Sequence, residues 1–429
     1  MLELHTSASL GGNGTIAPRA PMPDGAIGYS DFIAGLHVTD TQVSVLSSTA
    51  IALRPTNLST GYVYGKDDVI SAGNNWGKLD YDHAGDCLGL RVNAAYTQLV
   101  AASQRQDMTA GIATGGIASL EPAPEPWQRW ALLTPAVDAT EASLALSTAA
   151  IAAGSSVFYA VDVQGTGIVQ IGSKAESAVW ANFDLLSGVS ETAPGVKAAM
   201  IKRRKGWTLG TIWTPAAALA DGQPYVASVA SISSGRLSDS GKPFRARLAR
   251  VVRPGGAGYG FPPPAPATDS ASVGATAISQ QSTLIADTAP FSTIFRLKAG
   301  WTPTQTDSGL FRFVISGTNG LELRFSSSNA LVLWDRQSGG ALVHAFAGVS
   351  YVPGGIYRVG VSRAADGTIC IAVNGEMVTV SVPSVATAAP RWAGGLLPNQ
   401  SWSGHIQVVI LWVDAKSAED LAALCERHL

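Results

Sequence analysis

Asp80, Asp82 and Asp86 place three carboxylates in one short acidic turn, within Lys78-Leu79-Asp80-Tyr81-Asp82-His83-Ala84-Gly85-Asp86. Oxygen clusters on loops bind hard cations, so calcium is the sharper reading. The plainer one is that the carboxylates accept backbone N–H bonds at a turn. Sugar recognition is the other chemistry on offer. It needs aromatic faces beside side chains that hydrogen-bond hydroxyls. Trp334-Asp335-Arg336 ends a strand, and Arg391-Trp392 and Asn399 to Trp402 lie in loops. Trp334, Trp392 and Trp402 would supply stacking faces, and Asp335, Arg336 and Asn399 the polar partners. Trp180, Asn182 and Asp184 form a second set, on one face if their segment is a regular strand. Packing or a subunit interface is the competing account of the loop tryptophans, and Trp207 and Trp301 read as core anchors.

Catalysis has no positive signal. A glycosidase needs two carboxylates roughly 5–9.5 Å apart across a sugar. On one strand these would sit at alternate positions, and Glu322, Asp335, Glu376 and Asp414 do not pair in that way. His5, His37, His83, His344, His405 and His428 are scattered, with no His-x-x-x-His spacing for zinc. No Gly-x-Ser-x-Gly, phosphate loop or paired-cysteine motif occurs. No enzyme activity and no cofactor are expected.

Positioning these residues falls to strands. Of the 429 residues only 14% are charged, against roughly 25% in soluble domains, while Gly numbers 46 and Pro 23. Such composition suits sheets joined by tight turns. The net charge of -2 gives no basic excess for nucleic acid, and Lys202-Arg203-Arg204-Lys205 reads as a solvated turn. Cys87, Cys370 and Cys425 are odd in number and far apart, which argues against a disulfide framework or a zinc site. No run of 18 or more apolar residues suggests a membrane span. The N-terminus lacks the basic-then-apolar pattern of a signal peptide, so synthesis in a cytoplasm without secretion is expected.

Turn signals divide the chain. Residues 1–45 read as an extended N-terminal arm, rich in Gly and Pro, that would order against another chain. Residues 46–252 read as a β-sandwich of short strands. Val157, Tyr159, Val161 and Val163 share a face, and Ile168 to Ile171, Val179 to Leu185 and Lys205 to Trp213 follow. Residues 253–276, with Pro262-Pro263-Pro264, read as a linker. Residues 277–429 alternate again, with hairpin turns at Asn319-Gly320 and Asn374-Gly375. A short C-terminal helix capped by Ser417 closes the chain. The fold class is therefore all-β: two antiparallel β-sandwich (jelly-roll) domains joined by a Pro/Gly-rich linker.

Particular residues carry a resemblance. The acidic turn followed by Cys87-Leu88-Gly89-Leu90-Arg91-Val92 resembles a segment recurring in phage and prophage tail-fibre and tailspike proteins. Val157 to Val161, then Asn182-Phe183-Asp184-Leu185-Leu186-Ser187-Gly188, then Lys205-Gly206-Trp207-Thr208 match their carbohydrate-binding module in order and spacing. Departures fall at Asn93, Tyr96, Gln98 and Thr208. Residues 277–429 resemble the concanavalin A-like, laminin-G-type jelly roll in its succession of Asp-Gly and Asn-Gly turns and its closing helix. The resemblance implies a structural virion protein, a spike or fibre component of a phage or phage-derived particle, that binds host surface polysaccharide for attachment. Other virion proteins and copies of itself would be its partners, with a trimer favoured, and no nucleic acid or membrane insertion. A non-binding adaptor between virion subunits and a polysaccharide depolymerase are the alternatives.

Overall fold

The computed structural model describes residues 22–34, 36–39, 43–45, 53–56, 61–65, 70–73, 79–92, 96–123, 129–238, 241–254, 272–273, 277–280, 286, 288–300, 308–317, 319–337, 340–392 and 402–429. The described chain is built almost wholly of antiparallel strands. In the first sandwich an eight-stranded sheet runs Gly116–Leu120, Ala131–Pro135, Phe244–Pro254, Val157–Gln164, Gly206–Trp213 and Lys197–Arg203, with Tyr96–Gln98 and Ser272–Val273 attached beyond Phe244–Pro254. The opposing sheet has six strands: Ile112–Thr114, Ala142–Ala145, Pro224–Val229, Ile168–Ser173, Trp180–Asp184 and Ser190–Thr192. Their inner faces share one core, where Val157, Tyr159, Val161 and Val163 meet Val169, Ile171, Ala181, Phe183 and Val226.

The second sandwich pairs a ten-stranded with a seven-stranded sheet. Gly404–Trp412, Phe291–Ala299, Ile356–Arg363, Thr368–Val373 and Glu376–Ser381 lie side by side in the first. Ala341–Ser350, Ala330–Asp335, Asn319–Phe325, Ser308–Ser316, Ala389–Trp392, Ala277–Gln280 and Leu53–Thr56 form the second. Phe295, Val359, Ile371 and Val409 pack on Phe311, Leu323, Phe325 and Leu333 between them. The turn between Val373 and Glu376 puts Asn374 and Gly375 at φ +49° and +90°, the left-handed pair that a tight hairpin requires. The helix Ala418–His428, capped by the Ser417 side chain on the Asp420 N–H, covers the outer face of the larger sheet with Leu421 and Cys425.

Two segments differ from the boundaries expected from sequence. The first is the arm: Gly28–Asp31 pairs with Val408 to Leu411 of this same chain, and Trp412 donates its indole N–H to the Asp24 carbonyl. The arm's described residues thus include an integral strand of the second sandwich. The second is the acidic turn and its strand. Leu79–Tyr81 and Cys87–Val92 belong to the C-terminal sheet, because Leu90, Arg91 and Val92 pair with Ile406, His405 and Gly404. Leu90 and Val92 bury their side chains in the second core. Local pattern identifies such a strand but not the partner that its apolar face selects. Most of the linker, residues 255–271, lies outside the described residues.

A buried polar network ties the sandwiches together. Asp162 of the first accepts hydrogen bonds from Arg250, Thr208 and the Tyr64 hydroxyl at 2.8–2.9 Å. Arg250 also donates to that hydroxyl at 2.8 Å, and Arg203 lies 3.7 Å over the Tyr64 ring. The Tyr64 backbone N–H donates to Asp80, which pairs with Arg91 at 2.8 Å and with His405 at 3.1 Å in the second sandwich.

This network should be acid-sensitive. Burial pushes the Asp80 carboxyl up, but Arg91 and the His405 hydrogen bond outweigh it and hold its pKa below the ordinary 3.8. Burial pushes His405 below its ordinary 6.5, against the raising effect of Asp80. In both cases the unfolded chain takes up protons that the folded chain refuses. The histidine's contribution is complete above pH 6.5 and is lost as pH falls through its folded range. The carboxylate's is present above 3.8 and lost below it. Urea midpoints should therefore decline as pH drops below 6.5, and His405→Asn should flatten the decline between 6.5 and 3.8. Parallel declines in both proteins would contradict the assignment.

Candidate functional site

Along Ser308–Ser316 and Asn319–Phe325, Phe311, Phe313, Leu321 and Leu323 point into the core, so Arg312, Glu322 and Arg324 point away from it. The ladder places Arg312 opposite Glu322 and Glu322 opposite Trp334, with Leu342 beyond. The Arg324 guanidinium stacks 4.7 Å from the Trp334 ring, and Arg336 Nε lies 3.7 Å from the fully buried Glu322 carboxylate. Trp334 and Arg336 are half-buried and Leu342 is 55% exposed. The result is a half-buried aromatic ring carrying one guanidinium, next to a buried carboxylate that has Arg336 beside it and Arg312 opposite it in the ladder. Aromatic faces stack on apolar sugar faces, and guanidinium groups bond hydroxyls, carboxylates or phosphates.

Of the residues expected here, Trp334 and Arg336 come together. Asp335 turns the other way and accepts the Gln337 N–H at 2.8 Å, which fixes the strand end. Trp392 ends the strand Ala389–Trp392 in the same sheet. Asn399 lies outside the described residues. Trp402 is fully buried in the second core, so its ring packs against protein and has no face to offer a ligand. Arg312 and Arg324 are absent from the sequence-based set. Their signal was present in the alternation of Gly309-Leu310-Phe311-Arg312-Phe313 and Leu321-Glu322-Leu323-Arg324-Phe325, but only the register brings them to Trp334.

In the first sandwich Trp180, Asn182 and Asp184 do share a strand, Trp180–Asp184. Asn182 is fully buried and donates to the carbonyls of Ile232 and Ser234, while Gln170 bonds Asn182, Gly235, Tyr225 and Leu237. These amides pin residues 232–237 across the sheet. Asp184 accepts from Leu186 N and from the Ser187 N–H and hydroxyl, which closes a turn. Both polar side chains thus serve the scaffold, and Trp180 remains half-buried beside them.

Asp80, Asp82 and Asp86 do not converge. Asp80 points inward to Arg91 and His405, while Asp82 accepts the N–H groups of Ala84 and Asp86. Asp82 acts as the plainer reading has it, Asp80 instead serves a buried ion pair, and among the described residues no three His, Cys, Asp or Glu side chains are grouped to hold a metal ion.

No family model matches the chain, and no curated protein matches it. Similar folds occur among solved structures. One is domain 4 of the extracellular GH43 arabinanase AbnA from Geobacillus stearothermophilus, solved with arabinotriose: 15% identity, 35% of this chain and 73% of that chain, TM-score 0.29. Another is the CBM40 of the Ruminococcus gnavus IT-sialidase bound to α2,3-sialyllactose: 13% identity, 32% and 82%, TM-score 0.25. The native heptameric SAP-like pentraxin of Limulus polyphemus gives 16% identity, 32% and 70%, TM-score 0.24. At these values no ligand or site residue is transferred from them.

Proposed function

We propose that the protein is a non-enzymatic structural component of a phage or phage-derived particle that binds host surface polysaccharide. The contact lies on the outward face of the second sandwich. The observation that carries the binding reading is the half-buried Trp334, held by Arg324 on its ring beside Arg336 and the exposed Leu342. The particle reading is supported by the resemblance of Lys78 to Val92 and of residues 157–208 to phage tail modules. Binding is favoured over hydrolysis because among the described residues this face offers Glu322, fully buried beside Arg336. A glycosidase uses two, and the nearby Asp335 is committed to the Gln337 N–H.

The test is to incubate the full chain with surface polysaccharide from candidate hosts and to follow both binding and reducing ends. Saturable binding with no new reducing ends is expected. Release of oligosaccharides would replace this reading with the depolymerase one. Absence of binding, with incorporation into particles intact, would favour the adaptor.

A further inference from the structure

Both sheets of the first sandwich end, on the same side, in two consecutive strands. Ile112–Thr114 is the last strand of the six-stranded sheet and Gly116–Leu120 the last of the eight-stranded one. The chain passes between them at Gly115, whose φ of +63° and close approach to the Glu141 carbonyl leave no room for a side chain. Ile112 is 71% exposed, Ile117 76%, and Val137, in the turn after the neighbouring strand, 98%. Among the described residues no strand pairs with the outer side of either edge.

Sheet edges are usually guarded by charge, proline, a bulge or shortness, because an open edge templates further pairing. The opposite edges of this sandwich are guarded. Lys197–Arg203 carries Lys197, Lys202 and Arg203 and runs into Arg204 and Lys205, and Ser190–Thr192 has three residues, one of them Glu191. On the 112–120 side Ile112–Thr114 is just as short, but Gly116–Leu120, with five residues, has no such guard. From Thr109 to Leu120 the sequence Thr-Ala-Gly-Ile-Ala-Thr-Gly-Gly-Ile-Ala-Ser-Leu contains no charged residue and no proline. The charges beside it are paired: Glu141 with Lys174 at 2.7 Å, whose ammonium also donates to the Thr114 hydroxyl at 3.3 Å, and Glu121 with Arg245 at 2.8 Å.

We infer that this edge pairs with the same edge of a second copy of the chain across a two-fold axis. The charge pattern selects that occupant. An isologous contact sets a surface against itself, so a charge near the axis meets its own like, and like charges opposed in a ladder are destabilising. An uncharged edge with exposed isoleucines meets that condition, and the lysine-bearing edge does not. Antiparallel pairing of Gly116–Leu120 with its mate brings Ile117 of each copy close to the other and satisfies backbone N–H and C=O groups on both. The contact is separate from the Trp334 face, so it does not depend on the polysaccharide reading.

The test uses the full chain and the exposed Ile117, whose replacement leaves the core intact. Sedimentation velocity at micromolar concentration should give the parent about twice the monomer mass, as expected of a closed two-fold pair. Ile117→Lys and Ile117→Glu, each with an unchanged melting temperature, should both sediment as monomers, with association weakened by about tenfold or more. An equimolar mixture of the two should regain the parent mass, since opposite charges then face each other. Val413→Lys, at an exposed apolar residue elsewhere, should leave the mass unchanged. A monomeric parent would overturn the inference, as would charge variants that keep the parent mass. A mixture that stays monomeric would overturn it too, because it would place a different surface, or a different partner, against this edge.

Discussion

Arg250→Met is expected to destabilise the protein by about 3–5 kcal/mol, the usual cost of stranding one member of a buried ion pair. Arg250 is 1% exposed and donates at 2.8 Å to both Asp162 and the Tyr64 hydroxyl. Burial pushes the Asp162 carboxyl up, and Arg250, Arg247 and Arg203 together bring it net below its ordinary range. Without Arg250 the largest of these opposing charges is gone, and Arg247 remains at 3.5 Å. Tyr64 also loses a partner, which weakens the tie from Asp162 to Asp80 and so between the sandwiches. Urea unfolding would measure the loss. Adding Asp162→Asn to Arg250→Met should cost less than the two single losses summed, because the stranded charge is then removed. A loss below about 1 kcal/mol for Arg250→Met would show the network to be dispensable.

Trp402→Ala is expected to cost about 3–5 kcal/mol through the cavity left in the second core. Its indole is fully buried and packs over Gly404, where an added Cβ would come within 2.6 Å of the ring. The effect should appear as a lower melting temperature. Trp402→Phe, which keeps most of the volume, should lose less and retain polysaccharide binding. An unchanged melting temperature for Trp402→Ala would place the ring outside the core.

The strands were legible where alternation and turn chemistry agreed. Val157 to Val163, the Asn319-Gly320 and Asn374-Gly375 hairpins and the Ser417 cap could be read directly, because each depends on neighbours within a few residues. The partner of Leu90 and Val92 could not, since it lies more than 300 residues away in Gly404–Trp412. The candidate site divides in the same way. Trp334 and Arg336 stand out as residue types at a strand end. Arg312 and Arg324 join them only through a ladder that alternation alone does not number. Asn182, Asp184 and Asp335 have the right chemistry for sugars, but backbone groups in turns and loops claim them first. Trp402 looked like a loop tryptophan because nothing local to Asn399-Gln400-Ser401 reveals that the following residues enter the core.

Calorimetric titration of host polysaccharide into the parent and into Trp334→Ala tests the role of the Trp334 face directly. Binding should weaken by about 1–3 kcal/mol, as when an aromatic anchor is truncated, with the melting temperature nearly unchanged because the ring is only half-buried. Equal affinity in the two proteins would contradict that role.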